Sequence, residues 1–228
     1  EEKPIDFISS ENFFKTEGDA VAGLSGVFSV FQLQAYYGRT QWIVSDVPGE
    51  ALRAGGTTGV RPELDRYTYA ATNDEIANWW NNSYRMINRA NDVIEKVPGI
   101  SMSDAKKNDI LGNARFLRAL GYFDLVRSFG DVPLVTTSTS SPTDEFKPSR
   151  SSTAAVYTKI IEDLKFAEQN CLAENQIPAS SKGRVSKTAA TALLAKVYLT
   201  RAASSAAQGS DKTDALASCN AVISSGFY

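Results

Sequence analysis

Residues 110–135 read ILGNARFLRALGYFDLVRSFGDVPLV, and this stretch decides the fold. Its apolar and small side chains recur three and four positions apart, which is the spacing of one wide face on an α-helix. Gly130 can take the left-handed backbone conformation that closes a helix, and Pro133 cannot continue one. The stretch therefore predicts a long helix that packs on several neighbours and ends in a turn.

The composition describes a globular chain without histidine. The sequence has 228 residues, of which 43% are hydrophobic, and its net charge of −2 gives no reason to expect a nucleic acid or an anionic membrane surface as partner. No apolar run approaches the roughly 18 residues of a membrane helix. There is no histidine, which excludes Ser-His-Asp and Cys-His catalysis and nearly all catalytic zinc sites. We expect no catalytic residue, no metal and no cofactor.

The two cysteines, Cys171 and Cys219, each lie in a helical pattern. That position favours a small buried apolar side chain. A disulfide between them stays possible if the chain is exported to an oxidising compartment.

Helical spacing recurs along most of the chain, and strand signals are scarce. The spacing predicts a mostly α fold, with helices at 18–37, 73–97, 103–129, 153–171, 186–206 and 211–226. Residues 38–72 contain two prolines and the run GGTTG at 55–59, and they show no regular period. A connection of this length inside a compact domain is usually functional or mobile.

The central helix has an echo later in the chain. Residues 114–123 and 190–199 both fit the pattern A-x-x-L-x-A-x-x-Y-[FL], and each follows a helix with Tyr and, three positions later, Ile. Two helical hairpins, 73–129 and 153–206, therefore recur with long loops between them, in the manner of tetratricopeptide repeats that bury a shared seam. The alternative is two unrelated amphipathic helices, because Ala and Leu are common residues.

Three motifs together resemble the SusD/RagB family. They are WNNSYRMINRANDVI at 80–94, the segment at 114–135, and GRVSKTAATALLAKVYL at 183–199. The resemblance covers essentially the whole chain. It implies that residues 1–228 form a single helical N-terminal domain, and that the C-terminal part of the family pattern and the lipid-bearing cysteine are absent from this chain.

The resemblance also implies a role. Proteins of this family are outer-membrane surface lipoproteins of Bacteroidetes that bind a nutrient and pass it to a SusC-like TonB-dependent transporter. The ligand is most often an oligosaccharide and in some members a peptide, and the proteins are not enzymes. The alternative for this chain is a helical-repeat scaffold that binds peptides or proteins and has no glycan ligand.

Carbohydrate recognition needs an exposed aromatic face for a sugar ring and polar side chains for its hydroxyl groups. Segment 38–72 offers that mixture, and its candidate ligand-binding residues are Trp42, Asp46, Glu50, Arg53, Tyr67 and Tyr69. The alternative is a loop whose aromatic side chains pin it to the helices.

Four residues of the helix at 73–97 have predicted structural roles. Trp80 matches the family tryptophan and is expected in the core, whereas Trp79 points about 100° away and is expected at a surface or interface. Asn88 and Asn91 match the family asparagines, and we expect their amides to bond the backbone of a neighbouring loop.

Overall fold

The computed structural model describes residues 13–49, 52–139 and 148–227, and within these ranges the chain is mainly helical. Eight α-helices follow one another in the described residues: α1 Glu17–Phe28, α2 Thr40–Asp46, α3 Val60–Asp65, α4 Asp74–Lys96, α5 Asp104–Phe129, α6 Thr153–Asn170, α7 Lys187–Ala202 and α8 Asp211–Ser224. Two short strands, β1 Val132–Pro133 and β2 Arg150–Ser151, pair antiparallel. The mostly α prediction is confirmed. None of the helices described is long and apolar enough to cross a bilayer.

Helices α4 to α8 pack in chain order, each against the next, and α1 lies across α4 and α5. Helix α5 has more buried residues than any other described helix, and it contacts α1, α4 and α6. Two apolar clusters meet along it, one formed with α1 and α4 and the other with α6 and α7. This is the tetratricopeptide-like arrangement that the repeated motif predicts, with α4–α5 and α6–α7 as successive hairpins.

Close approach of neighbouring helices explains two glycines of α5. A Cβ on Gly112 would lie 2.8 Å from Cys171 Sγ, and one on Gly121 would lie 3.0 Å from Ile87 Cγ1. At the end of α5, Gly130 has a φ of 67° and its N–H bonds the Val126 carbonyl. The predicted helix stop is therefore confirmed.

A buried ion pair joins the two hairpins. Arg118 on α5 donates to both carboxylate oxygens of Asp163 on α6, at 2.7 and 2.8 Å, and both residues are almost fully buried. The remaining guanidinium nitrogen donates to Asn91 Oδ1 on α4 at 2.9 Å. One side chain of α5 thus ties three helices together, with the bidentate geometry that makes an arginine–carboxylate pair strong.

The two family asparagines hold the chain that follows α5. The Asn91 amide donates to the carbonyls of Val135 and Thr137 at 3.1 and 2.9 Å. Asn88 both donates to the Thr139 carbonyl and accepts from its N–H, at 3.1 and 2.8 Å. The prediction that these amides bond loop backbone is confirmed.

The first helix ends earlier than its apolar spacing predicts. Helix α1 stops at Phe28, a 3₁₀ turn follows, and Leu33 is extended before a π-helical turn at Gln34–Gly38. That turn directs Tyr36 and Tyr37 towards α5, where both hydroxyls donate to Asp124 Oδ2 at 2.9 Å. A long-range tertiary contact therefore breaks the predicted helix.

The expectation that residues 38–72 are irregular is wrong for α2 and α3. Both helices are short, so hydrophobic spacing gives little signal for either. Pro62 lies in the first turn of α3, where the missing N–H has no acceptor within the helix, and it therefore does not disrupt the helix.

The cysteines are both free thiols. Cys171 is buried against α5, as predicted, and burial raises the pKa of its thiol to about 12. Cys219 on α8 is only partly buried.

Candidate ligand-binding site

Segment 38–72 is fastened to the N-terminus of α4 by a buried carboxylate. Glu75 is 2% exposed and accepts from Thr40 Oγ1 of α2 at 2.7 Å and from Arg61 Nε of α3 at 3.3 Å. The Arg39 guanidinium lies 3.3 Å from the same carboxylate. The position of Glu75 in the first turn of α4 also suits the helix dipole. Both short helices therefore sit on a fixed base.

Asn73 adds a second attachment beside Glu75. Its side-chain oxygen caps α4 by accepting from the Glu75 N–H at 3.1 Å. Its amide nitrogen donates to the Val60 carbonyl at 2.8 Å and to the Glu63 carboxylate at 3.0 Å. One asparagine thus starts α4 and holds α3 against it.

An open cleft of about 460 Å³, here called the Trp42 groove, lies between α2 and α3. Trp42 is 42% exposed at its edge. The Arg53 side chain is 92% exposed, and its Nε lies 3.9 Å from Asp65 Oδ2. An exposed ion pair at this distance is weak. The groove is lined by Trp42, Val47, Leu52, Arg53, Ala54, Gly55, Thr58, Gly59, Val60, Arg61 and Pro62.

The other predicted site residues are not gathered there. Asp46 is exposed, accepts from the neighbouring Ser45 hydroxyl at 3.0 Å and does not line the groove. Tyr67 has a φ of 56° and its hydroxyl donates to the Pro48 carbonyl, so this aromatic fixes the segment on itself. Glu50 lies outside the described residues. Of the predicted set, the structure brings Trp42 and Arg53 together.

Tyr69 lines a different and larger cleft of about 800 Å³, here called the Tyr69 groove. It runs between segment 38–72, α4 and the end of α5, and its aromatic lining residues are Tyr69, Trp79, Trp80 and Phe129. Polar groups at its edge belong to Asn81, Arg127, Ser128 and Arg150. The mixture of rings and hydrogen-bonding groups suits a ring-shaped polar ligand.

The roles predicted for the two adjacent tryptophans are reversed. Trp79 is 4% exposed, stacks near Tyr36 and donates from its indole N–H to Ser128 Oγ at 3.1 Å. Trp80 is partly exposed and lies between Tyr84 and Phe129, with ring centroids 5.0 Å apart in each case. Trp79 is buried because the tyrosines of the π-helical turn pack on it. The spacing of the sequence does not predict that turn.

A third cleft, here called the amide pocket, encloses about 540 Å³ on the outer side of α4. It is lined by Leu33, Gln34, Ala35, Asn78, Asn81, Asn82 and Arg85. Asn82 donates to the Ala35 carbonyl at 2.9 Å and so ties the π-helical turn to α4. Sequence reasoning missed this pocket because Gln34 and Asn81 are brought together only by that turn.

A buried acid lies behind Arg127, one of the residues that line the Tyr69 groove. Asp124 is fully buried and accepts from Tyr36, Tyr37 and, at 2.8 Å, from the Arg127 guanidinium. Burial raises the pKa of the Asp124 carboxyl, and the three donors oppose that rise. Since Arg127 has this partner, its charge is largely satisfied within the protein.

The described residues contain no group of three or more Cys, Asp or Glu side chains that could hold a metal ion. Among the described residues, no aspartate or glutamate lines any of these three clefts. What the clefts offer is rings, amides and arginines, which are binding groups.

Comparisons with known proteins agree with the helical-repeat architecture. A family model described as "Starch-binding associating with outer membrane" matches residues 56–199. The SusD-like protein P2 of Formosa agariphila is 32% identical over 203 residues, which are 88% of this chain and 39% of that protein. The chain belongs to the SusD-like family.

Solved structures of SusD-like proteins also superpose on this chain. A SusD homolog from Bacteroides thetaiotaomicron superposes with a TM-score of 0.82 at 26% identity, over 99% of this chain and 43% of that one. A structure described as a laminarin binding SusD-like protein superposes with a TM-score of 0.76 at 29% identity, over 92% of this chain and 44% of that one. The chain thus spans about two fifths of the length of the relatives it matches.

Proposed function

We propose that the protein binds a carbohydrate and does not transform it, with the Trp42 groove as the primary contact. The observation that carries the proposal is Trp42, whose ring is 42% exposed on a helix that is itself fixed. An exposed ring normally costs free energy in water, and a sugar face would cover it. The family description and the laminarin-binding relative support the same ligand class.

The surroundings of Trp42 suit sugar hydroxyls. The Arg53 guanidinium is highly exposed and makes only a long ion pair with Asp65, and Gly55, Thr58 and Gly59 of the glycine-rich run line the groove. The Glu75 attachment keeps α2 from shifting, so little conformational entropy is lost on binding. A rigid aromatic platform beside adaptable polar groups is the arrangement that carbohydrate binding needs.

The absence of histidine from the sequence, and of carboxylates among the described residues that line the groove, supports a binding role without catalysis. Glycoside hydrolysis needs two carboxyl groups that flank the bond to be broken. We therefore propose that the ligand leaves unchanged.

The proposed setting is the outer-membrane surface, as a lipoprotein that passes its ligand to a SusC-like TonB-dependent transporter. Support comes from the family description, which includes association with the outer membrane. The exposed apolar side chains Leu199, Leu216 and Ile223 on α7 and α8 offer a surface for a protein partner. The same surface is the observation that favours the second candidate, a scaffold for peptides or proteins without a glycan ligand.

Titration calorimetry of the purified protein against soluble polysaccharides, including starch and laminarin, and against a peptide library separates the two candidates. We expect saturable binding of a polysaccharide, weakened about thirtyfold by Trp42→Ala, since an aromatic hot spot contributes about 2 kcal/mol. Trp42→Phe should keep most of the affinity, and Leu216→Ala serves as the exposed apolar control. Peptide binding with no response to any polysaccharide would overturn the first candidate.

A further inference from the structure

The Tyr69 groove and the amide pocket meet at Asn81, which lines both. The two clefts adjoin on the outer side of α4, and their combined lining is here called the Asn81 surface. The Tyr69 and Trp80 rings lie on one side of Asn81, and the amides of Gln34 and Asn78 lie on the other. The Asn81 surface is separate from the Trp42 groove, because the two share no lining residue.

Three side-chain amides on this surface have no hydrogen-bond partner among the described residues. The side chains of Gln34, Asn78 and Asn81 make no hydrogen bond with any described residue, whereas Asn82 bonds the π-helical turn. Asparagine is a poor residue for a helix interior, since its side chain competes for backbone hydrogen bonds. Asn78 and Asn81 thus lower the stability of α4 without a structural bond in return, which is the pattern of residues kept for a ligand.

The charges on the Asn81 surface have one sign. Arg85 and Arg150 form no ion pair with a described carboxylate, and Arg150 donates only to the Asp131 carbonyl, at 3.0 Å. The described residues of the lining include no aspartate or glutamate, the side chains that usually accept hydrogen bonds from neutral sugar hydroxyls. Arg85 lines one cleft and Arg150 the other; Arg150 is near enough to the Asp131 carboxyl to help lower its pKa. Both guanidinium groups fit carboxylate or sulfate oxygens.

We propose that the Asn81 surface binds an acidic oligosaccharide, one whose sugar rings carry carboxylate or sulfate groups. A ring lies against Tyr69 and Trp80, the Asn78 and Asn81 amides bond hydroxyl groups, and Arg85 and Arg150 bond the anionic groups. This inference takes the carbohydrate class of ligand from the proposed function, but its site and its charge requirement are its own.

The test uses calorimetry with a galacturonate hexasaccharide, its neutral methyl ester and a sulfated carrageenan hexasaccharide. We expect an acidic hexasaccharide to bind at least tenfold more tightly than the ester, and its affinity to fall as salt is raised from 50 to 500 mM, as expected for charge contacts. Response to the galacturonate alone, or to the carrageenan alone, identifies the anionic group and supports the proposal.

Variants assign the site. Arg85→Gln with Arg150→Gln should weaken binding of the acidic hexasaccharide at least tenfold. Lys165→Gln with Lys212→Gln removes the same charge from exposed positions on α6 and α8 and should change it less than twofold. Asn81→Ala should weaken binding while leaving the melting temperature equal or higher, because alanine is the better helix former. A purely structural asparagine would lower the melting temperature instead.

Three results would overturn the inference: equal affinity for the acid and its ester, no binding of either acidic hexasaccharide, or equal effects of the arginine and lysine pairs. The two proposals fail separately. Trp42→Ala should leave binding at the Asn81 surface intact. If Trp42→Ala loses binding of neutral polysaccharide and keeps binding of the acidic hexasaccharide, both sites are supported. If the acidic hexasaccharide binds and no binding depends on Trp42, the Asn81 surface is supported and the Trp42 groove is not.

Discussion

Replacing Arg118 with alanine should destabilise the protein more than any exposed charge change. The substitution leaves Asp163 buried without its bidentate partner, and such a loss costs about 3–5 kcal/mol. Arg115 and Lys159 remain 3.9 and 3.6 Å from Asp163 Oδ1, so we expect the lower part of that range, about 3–4 kcal/mol. For a chain of this length the melting temperature should fall by roughly 6–16 °C.

Arg115→Ala is the matched control, because Arg115 is on the same helix and approaches the same carboxylate. Its side chain is 26% exposed, its ion pair is long, and its guanidinium lies 4.0 Å from the centre of the Phe166 ring. Losing these contacts should cost about 1–1.5 kcal/mol. The comparison therefore isolates burial and bidentate geometry from charge.

A double variant tests the mechanism of the loss. Arg118→Met with Asp163→Leu removes both charges, so no buried carboxylate is left unpaired, and its cost should be smaller than that of Arg118→Ala alone. Urea unfolding followed by tryptophan fluorescence and circular dichroism gives each free energy by linear extrapolation. Equal losses in Arg118→Ala and Arg115→Ala would refute the reasoning, as would a double variant less stable than Arg118→Ala.

Three further expectations follow from burial and close packing. Gly112→Ala should lower the free energy of unfolding by about 1–3 kcal/mol, because its Cβ would lie 2.8 Å from Cys171 Sγ and 3.2 Å from the Cys171 backbone nitrogen. Gly26→Ala on α1 is the control: its added Cβ would meet no neighbouring atom within 4 Å, so the substitution should raise the free energy of unfolding by about 0.5–1 kcal/mol, as thermal unfolding will show. Cys171, whose pKa is raised to about 12 by burial, should resist iodoacetamide at pH 8 in the folded protein while the more exposed Cys219 reacts, as intact mass will show. Burial also raises the pKa of Asp124, so the folded chain binds this proton more tightly than the unfolded chain, and the contribution of the group to stability grows as pH falls through the folded pKa towards about 4. The free energy of unfolding of the wild type minus that of Asp124→Asn should therefore increase as the pH is lowered from 7 to 4.

The sequence predicted the elements whose signal is local. Three predictions depend only on neighbours along the chain: the helical spacing of α5, its end at Gly130 and the repeated motif on α7. The structure confirms all three. Asn88 and Asn91 were also predictable, because a polar side chain on an apolar helix face must find a partner. Local pattern was enough for these features.

The failures share a cause, which is contact between distant parts of the chain. The break in the first helix depends on Asp124, some ninety residues further on, and the exchange of roles between Trp79 and Trp80 depends on the same turn. The candidate site follows the same rule. Trp42 could be proposed from the sequence because a tryptophan in a polar, irregular segment is a candidate for ring stacking, whereas Asn81 lines two clefts only after the π-helical turn is in place.

Helix α4 separates the stability of the protein from its binding. Its inner side carries Ile87 and Asn91, which pack and bond within the core, while its outer side carries Asn78, Asn81 and Arg85, whose side chains bond no described residue. Because the inner side is fixed by the repeat, substitutions on the outer side should alter the proposed binding with little effect on the fold. The three motifs that identify the family specify core residues, and this is why they do not identify a ligand.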